Sequence, residues 1–135
     1  IAHAALVADI LNKPMGYVRG SNKSHGRQNR IEGAVREGMK VVVVEDLIST
    51  GGSSLEVVDA LREAGCEVLG LVAIFTYGLK DSIKNFADKD CHFVTLSNYD
   101  ALLPVAVEHN YIKEEALEKL KAWKVDPHDE SWMTK

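Results

Sequence analysis

Four consecutive valines, Val41 to Val44, run directly into two adjacent carboxylates, Glu45 and Asp46, and then into a turn of small residues, Ser49-Thr50-Gly51-Gly52-Ser53. No other feature narrows the fold as much. A run of β-branched residues has no polar side to give to water, so it predicts a strand covered on both faces, parallel and central in its sheet. Ser53 or Ser54 then opens a helix through Ala64, with Val57, Val58, Leu61 and Ala64 as its buried stripe and Gly65 as its stop. Beyond it the pattern predicts a strand at Val68–Phe75, a helix at Lys80–Asp88 and a strand at Cys91–Thr95. Ser97, with Asp100 three residues on, reads as a helix cap, and Pro104 as a kink or a late start in that helix. Lys113–Lys124 is an amphipathic helix with Leu117, Leu120 and Trp123 on one side. Strand and helix alternate, which predicts an α/β domain: a mostly parallel sheet flanked by helices, with right-handed crossovers.

Ahead of the valines, Ala2–Leu11 is apolar at helical spacing and Pro14 ends it. Met15–Arg19 reads as a short strand, Gly20–Arg30 as a loop, Ile31–Val35 as a weak strand and Glu37-Gly38 as a turn. The chain opens Ile1-Ala2-His3-Ala4, with no Met and no basic leader. That reads as the interior of a domain, and further residues are expected upstream. Residues 1–125 are expected to form one domain, with 126–135 as a polar tail. At 135 residues the chain holds a single core. No apolar run approaches the roughly 18 residues of a membrane-spanning helix. A net charge of −4 argues against a general nucleic-acid binder. Two distant cysteines, Cys66 and Cys91, form neither a zinc pattern nor a disulfide framework, and they fit a reducing cytoplasm. No side-chain cluster has the spacing of a dedicated metal cage.

In parallel sheets ligands sit at the carboxyl ends of strands. The junction after Val44 is such an end. Small residues let backbone N–H groups approach a phosphate, and the helix N-terminus adds partial positive charge. Ser49, Thr50 and Ser53 add donors, whereas ionised Glu45 and Asp46 only accept, which suits vicinal hydroxyls or magnesium-bound water. Neither acid is needed to make a turn. The stretch lacks the Gly-Lys-Ser/Thr ending of a P-loop and the Gly-x-Gly-x-x-Gly of a dinucleotide site.

The segment closely resembles the phosphoribosyl pyrophosphate (PRPP) signature of the type I phosphoribosyltransferases. The resemblance implies that the PRPP-binding segment is Glu45 to Ser53, Leu47 and Ile48 included. Within it Glu45 and Asp46 hold the ribose hydroxyls, and Ser49, Thr50, Gly51, Gly52 and Ser53 hold the 5′-phosphate.

A second feature lies between Asp9 and Glu32. This interval has no acidic residue but carries Lys13, Arg19, Lys23, Arg27 and Arg30, plus His25. A cationic loop made mobile by Gly20, Ser21, Ser24 and Gly26 is how a lid closes over a polyanion. The order Arg19-x-x-x-Lys23-x-His25-Gly26 resembles the catalytic loop of the orotate branch of the family. There Arg, Lys and His reach the pyrophosphate of PRPP. The family loop often has a second Lys directly after the Arg, and here that position is Gly20. Ile31-Glu32-Gly33, Val72 to Tyr77 and Val94 to Tyr99 are also similar to the bacterial orotate enzymes. In some of those an arginine after the strand equivalent to Leu69–Phe75 contacts orotate. Tyr77 stands there, which leaves base recognition to Ser49, backbone groups and residues upstream.

The resemblance implies transfer of a phosphoribosyl group from PRPP to orotate, giving orotidine 5′-monophosphate and pyrophosphate in pyrimidine synthesis. The catalytic set is Arg19, Lys23, His25, Glu45 and Asp46, with Mg2+ as cofactor. The expected assembly is a homodimer with the loop shared across the interface. Two rivals are a phosphoribosyltransferase for another base and a non-enzymatic PRPP sensor.

Overall fold

The computed structural model describes residues 1–20 and 30–134. Helix α1 (Ala2–Leu11) ends at Asn12, whose left-handed backbone (φ 51°, ψ 51°) turns the chain before Pro14. Strands β1 (Gly16–Val18) and β2 (Ile31–Gly33) form an antiparallel pair. Arg19 N–H donating to Arg30 O (2.7 Å) extends that pairing by one step. The main sheet has the order β3 (Lys40–Ile48), β4 (Glu67–Thr76), β5 (Phe93–Asn98), all parallel. Helix α2 (Gly52–Glu63) connects β3 to β4, and α3 (Lys80–Asp88) connects β4 to β5. Helix α4 (Tyr99–Glu108) and, after a 3₁₀ turn, α5 (Leu117–Val125) follow. The α/β class and the parallel sheet flanked by helices are those expected from the alternation.

The core lies between one sheet face and helices α2 and α3. Val43, Leu71 and Ala73 meet Leu55, Val58, Leu61 and Phe86 there. Val58 is fully enclosed and Phe86 is 1% exposed.

Several expectations are corrected. Among the described residues β3 is an edge strand, paired only with β4, and β4 is the central one. The valine run reports two apolar faces, whereas central position depends on hydrogen bonding at two edges, which side-chain type does not encode. The second face is also only partly covered, since Val42 is 50% exposed. A cavity of about 700 Å³ lies beside it, lined by Ala4, Val7, Tyr17, Val18, Val42 and Val44 among others. Strand β3 runs past the valines, so Glu45 to Ile48 are strand, and Ile48 is a core residue with no exposure.

On α2 the buried positions are Ser54, Leu55, Val58 and Leu61, and Ala64 is exposed at the end of the helix. Strand β5 runs through Ser97, and the cap of α4 is Asn98, whose side chain accepts from Ala101 N–H at 2.9 Å. Pro104 sits inside α4 without delaying its start.

Candidate active site

Alternation along β3 sends Glu45 and Asp46 to opposite faces. Glu45 follows Val43 onto the α2 side, where the Ser54 side chain hydrogen-bonds to it. Burial pushes the Glu45 carboxyl above its ordinary range, and the neighbouring Asp46 charge pushes the same way. The Ser54 bond opposes both by favouring the ionised form. Asp46 is exposed, and its Oδ1 accepts from Leu47 N–H at 2.8 Å. Two adjacent acids thus stand at the carboxyl end of a parallel strand, one half-buried and one in water.

The turn follows at once. Ser49 and Thr50 are exposed bends, and Gly51 is buried with φ 89° and ψ 0°. A Cβ on Gly51 would lie 2.6 Å from Cε2 of Phe86, so both its positive φ and its fit against that ring require glycine. Gly51 is also the N-cap of α2, with no side-chain cap and no acidic residue in the first turn. The N–H groups of that turn have no acceptor within the helix, and the positive end of the helix dipole lies next to the acid pair.

Helix α3 supports this turn from outside. Asn85 Nδ2 donates to Thr50 O at 3.0 Å. Tyr77 N–H donates to Ile48 O at 3.2 Å, tying the end of β4 to the start of the turn. The Tyr77 ring packs edge-on against Phe75, Tyr99 and Trp123, with centroids 5.3–5.9 Å away. That ring anchors α5, together with the Tyr99 hydroxyl, which donates to Leu120 O at 2.9 Å.

Of the basic loop, Arg19 lies one residue beyond β1. Its guanidinium is 3.3 Å from Glu32 on β2. Lys23 and His25 lie outside the described residues, as do Ser21, Ser24, Gly26 and Arg27. The structure therefore brings together Glu45, Asp46 and the Ser49–Ser53 turn, and it places Arg19 at the hairpin.

Reading the sequence missed Ser54 and Asn85. The signal for Ser54 was available, because it lies on the apolar stripe with Val58 and Leu61. A polar residue on a buried stripe needs a partner. Asn85 left no such signal, since its acceptor is 35 residues away in sequence.

The parallel sheet thus ends in paired acids beside an uncapped helix N-terminus, and similarity to known proteins shows the family. Residues 1–110 match the phosphoribosyl transferase domain, so the chain belongs to the phosphoribosyltransferase family. It is 61% identical over 133 residues to the orotate phosphoribosyltransferase of Bacillus pumilus, covering 98% of this chain and 63% of that protein. It is 54% identical to the orotate phosphoribosyltransferase of Bacillus subtilis, covering 100% of this chain and 62% of that one. The chain thus spans under two thirds of the length of these relatives. Among solved structures, Leishmania donovani UMP synthase superposes with a TM-score of 0.72 at 29% identity, over 89% of this chain and 26% of that one.

Proposed function

We propose that this chain carries the phosphoribosyl-transferring site of an orotate phosphoribosyltransferase. In this reading it moves the phosphoribosyl group of PRPP to orotate, with loss of pyrophosphate, in pyrimidine nucleotide synthesis. The observation that carries the reaction class is the juxtaposition of Glu45 and Asp46 with the uncapped turn at Gly51. The choice of orotate rests on the relatives and on the Arg19/Lys23/His25 order.

A ring nitrogen attacks the anomeric carbon as pyrophosphate leaves. Positive charge grows on the ribose and negative charge on the leaving group. The protein supplies position and electrostatics, without a covalent nucleophile. Asp46 and Glu45 hold the ribose hydroxyls and offset the developing positive charge. The N–H groups at the start of α2, with the hydroxyls of Ser49, Thr50 and Ser53, hold the 5′-phosphate. Arg19, Lys23 and His25 neutralise the leaving pyrophosphate.

Magnesium fits as an ion carried on the substrate. The two carboxylates offer hard oxygen ligands. No group of three or more His, Cys, Asp or Glu side chains able to hold a metal occurs among the described residues. The ion supplies further neutralisation of pyrophosphate charge. A cytoplasmic setting is supported by Cys66 and Cys91, both free and buried. No helix of the described residues is long and apolar enough to cross a membrane.

In the intact protein, Asp46→Asn should lower kcat/KM with PRPP by about 2–4 kcal/mol in barrier height while leaving the melting temperature within the scatter of a surface change. Parental turnover would refute the ribose assignment. Turnover of a purine base at the rate of orotate, in a base panel, would refute the choice of substrate. We further propose a homodimer in which the loop reaches the neighbouring site. Mixing Lys23→Ala with Asp46→Asn subunits should then restore activity, because one site of the heterodimer is intact. Verified heterodimers without activity would leave a site complete within one subunit.

A further inference from the structure

We propose that Asn85 is a positioning residue for phosphate binding, locking the Thr50–Gly51 peptide so that the Gly51 N–H faces the open end of the site. The proposal rests on the reading of Ser49–Ser53 as the phosphate turn. The Asn85 amide donates to Thr50 O at 3.0 Å. No peptide bond of the described residues is cis. In a trans peptide the carbonyl and the N–H point in opposite directions. Holding Thr50 O toward α3 therefore sends Gly51 N–H away from α3. Among the described residues that N–H meets no hydrogen-bond acceptor.

The lock is needed because the peptide is free to turn over. The Gly51 angles, φ 89° and ψ 0°, are those of the third residue of a type II turn. Rotating the central peptide of such a turn gives the type I form, and glycine accepts either φ. In the rotated form Thr50 O, an acceptor, would face the phosphate in place of Gly51 N–H, a donor. Asn85 selects the donor form.

The anchor itself is held firmly. Arg62 of α2 donates to Lys89 O at 2.6 Å and to Asp90 O at 2.9 Å, at the end of α3. Lys89 pairs with Asp59 of α2 at 2.7 Å. Phe86, next to Asn85, is 1% exposed and packs under Gly51. Helix α3 thus cannot drift relative to the N-terminus of α2, and the Asn85 amide stays aimed at one carbonyl.

The test uses Asn85→Leu, similar in shape but without a donor, and Asn85→Gln, which keeps an amide donor. Asn85 is half-exposed, so neither change opens the core. In the intact protein, Asn85→Leu should raise the KM for PRPP and the Kd for ribose 5-phosphate by roughly 5- to 30-fold, the scale of one oriented hydrogen bond. The KM for orotate should stay within about twofold, and Asn85→Gln should recover part of the loss. A purely structural role would lower the melting temperature and the active fraction without moving the KM for PRPP. A parental KM for PRPP in Asn85→Leu, in an otherwise active enzyme, overturns the proposal and leaves the proposed function standing. Failure of the parent protein to bind ribose 5-phosphate overturns the phosphate turn and this proposal together.

Discussion

The two faces of the three-stranded sheet are both apolar, yet among the described residues one is locked and the other is largely bare. On the locked face Val43, Leu71 and Ala73 are 2–6% exposed beneath α2 and α3. On the other, Val72, Ile74, Val94 and Leu96 are 40–85% exposed, and α1 reaches mainly β3. The difference shows where the chemistry can be held to fixed geometry. Glu45 with its Ser54 partner, Gly51 over Phe86, and Thr50 bound by Asn85 all belong to the locked side. Groups backed by such neighbours keep one geometry, whereas Asp46, sent to the opposite face, is exposed, with Leu47 N–H donating to its carboxylate.

Breaking the locked face should have the largest effect. Phe86→Ala removes a ring with 1% exposure and leaves a cavity under Gly51. The expected cost is about 3–5 kcal/mol in urea unfolding, and a loss below about 1 kcal/mol would show that Phe86 does not lock that face.

Glu45 sharpens the comparison from within the same face. Its carboxyl is raised by burial and by Asp46. The folded protein therefore holds its proton at pH values where the unfolded chain has released it. Stability from this group falls as pH rises from the ordinary glutamate range through the raised value, and then levels off. Glu45→Gln should thus be more stable than the parent at neutral pH, with the gap closing below the ordinary glutamate range. Melting curves across that range check it. A variant less stable than its parent at neutral pH would mean that the Ser54 bond outweighs burial.

The bare face should give the smallest effect. Leu96 is 85% exposed, and Leu96→Thr should shift stability by no more than about 0.5 kcal/mol. A larger loss in urea unfolding of the intact protein would show that something covers that face in solution.

Much of this was legible in the residues. Helix α3 and the course of β4 follow from hydrophobic period, because both faces of their pattern are decided locally. The acid pair was visible as two groups that no strand–helix junction requires, and the glycines after it as the turn itself. What was not legible depends on pairing across space. The edge position of β3 among the described residues is one example, because valine side chains describe faces and are silent about edges. The cap of α4 is another. Ser97 and Asn98 are both good caps and both pair with β4, so the cap falls to Asn98 because the strand ends there, which residue type does not encode. Asn85 is the third, a polar residue on a helix whose partner lies on another element.

The parallel order of β3, β4 and β5 has a kinetic consequence. No two neighbouring strands of this sheet can pair until a whole helix has been threaded between them, so the sheet has no local nucleus of the kind a hairpin provides. Its refolding belongs with the slower traffic of non-local topologies, well behind helical bundles of the same length. Strand β4 is party to both closures. Truncations at Leu71 and Ala73 should therefore weigh on the rate of folding, whereas changes in α5, which has no buried residue, should appear mainly as faster unfolding.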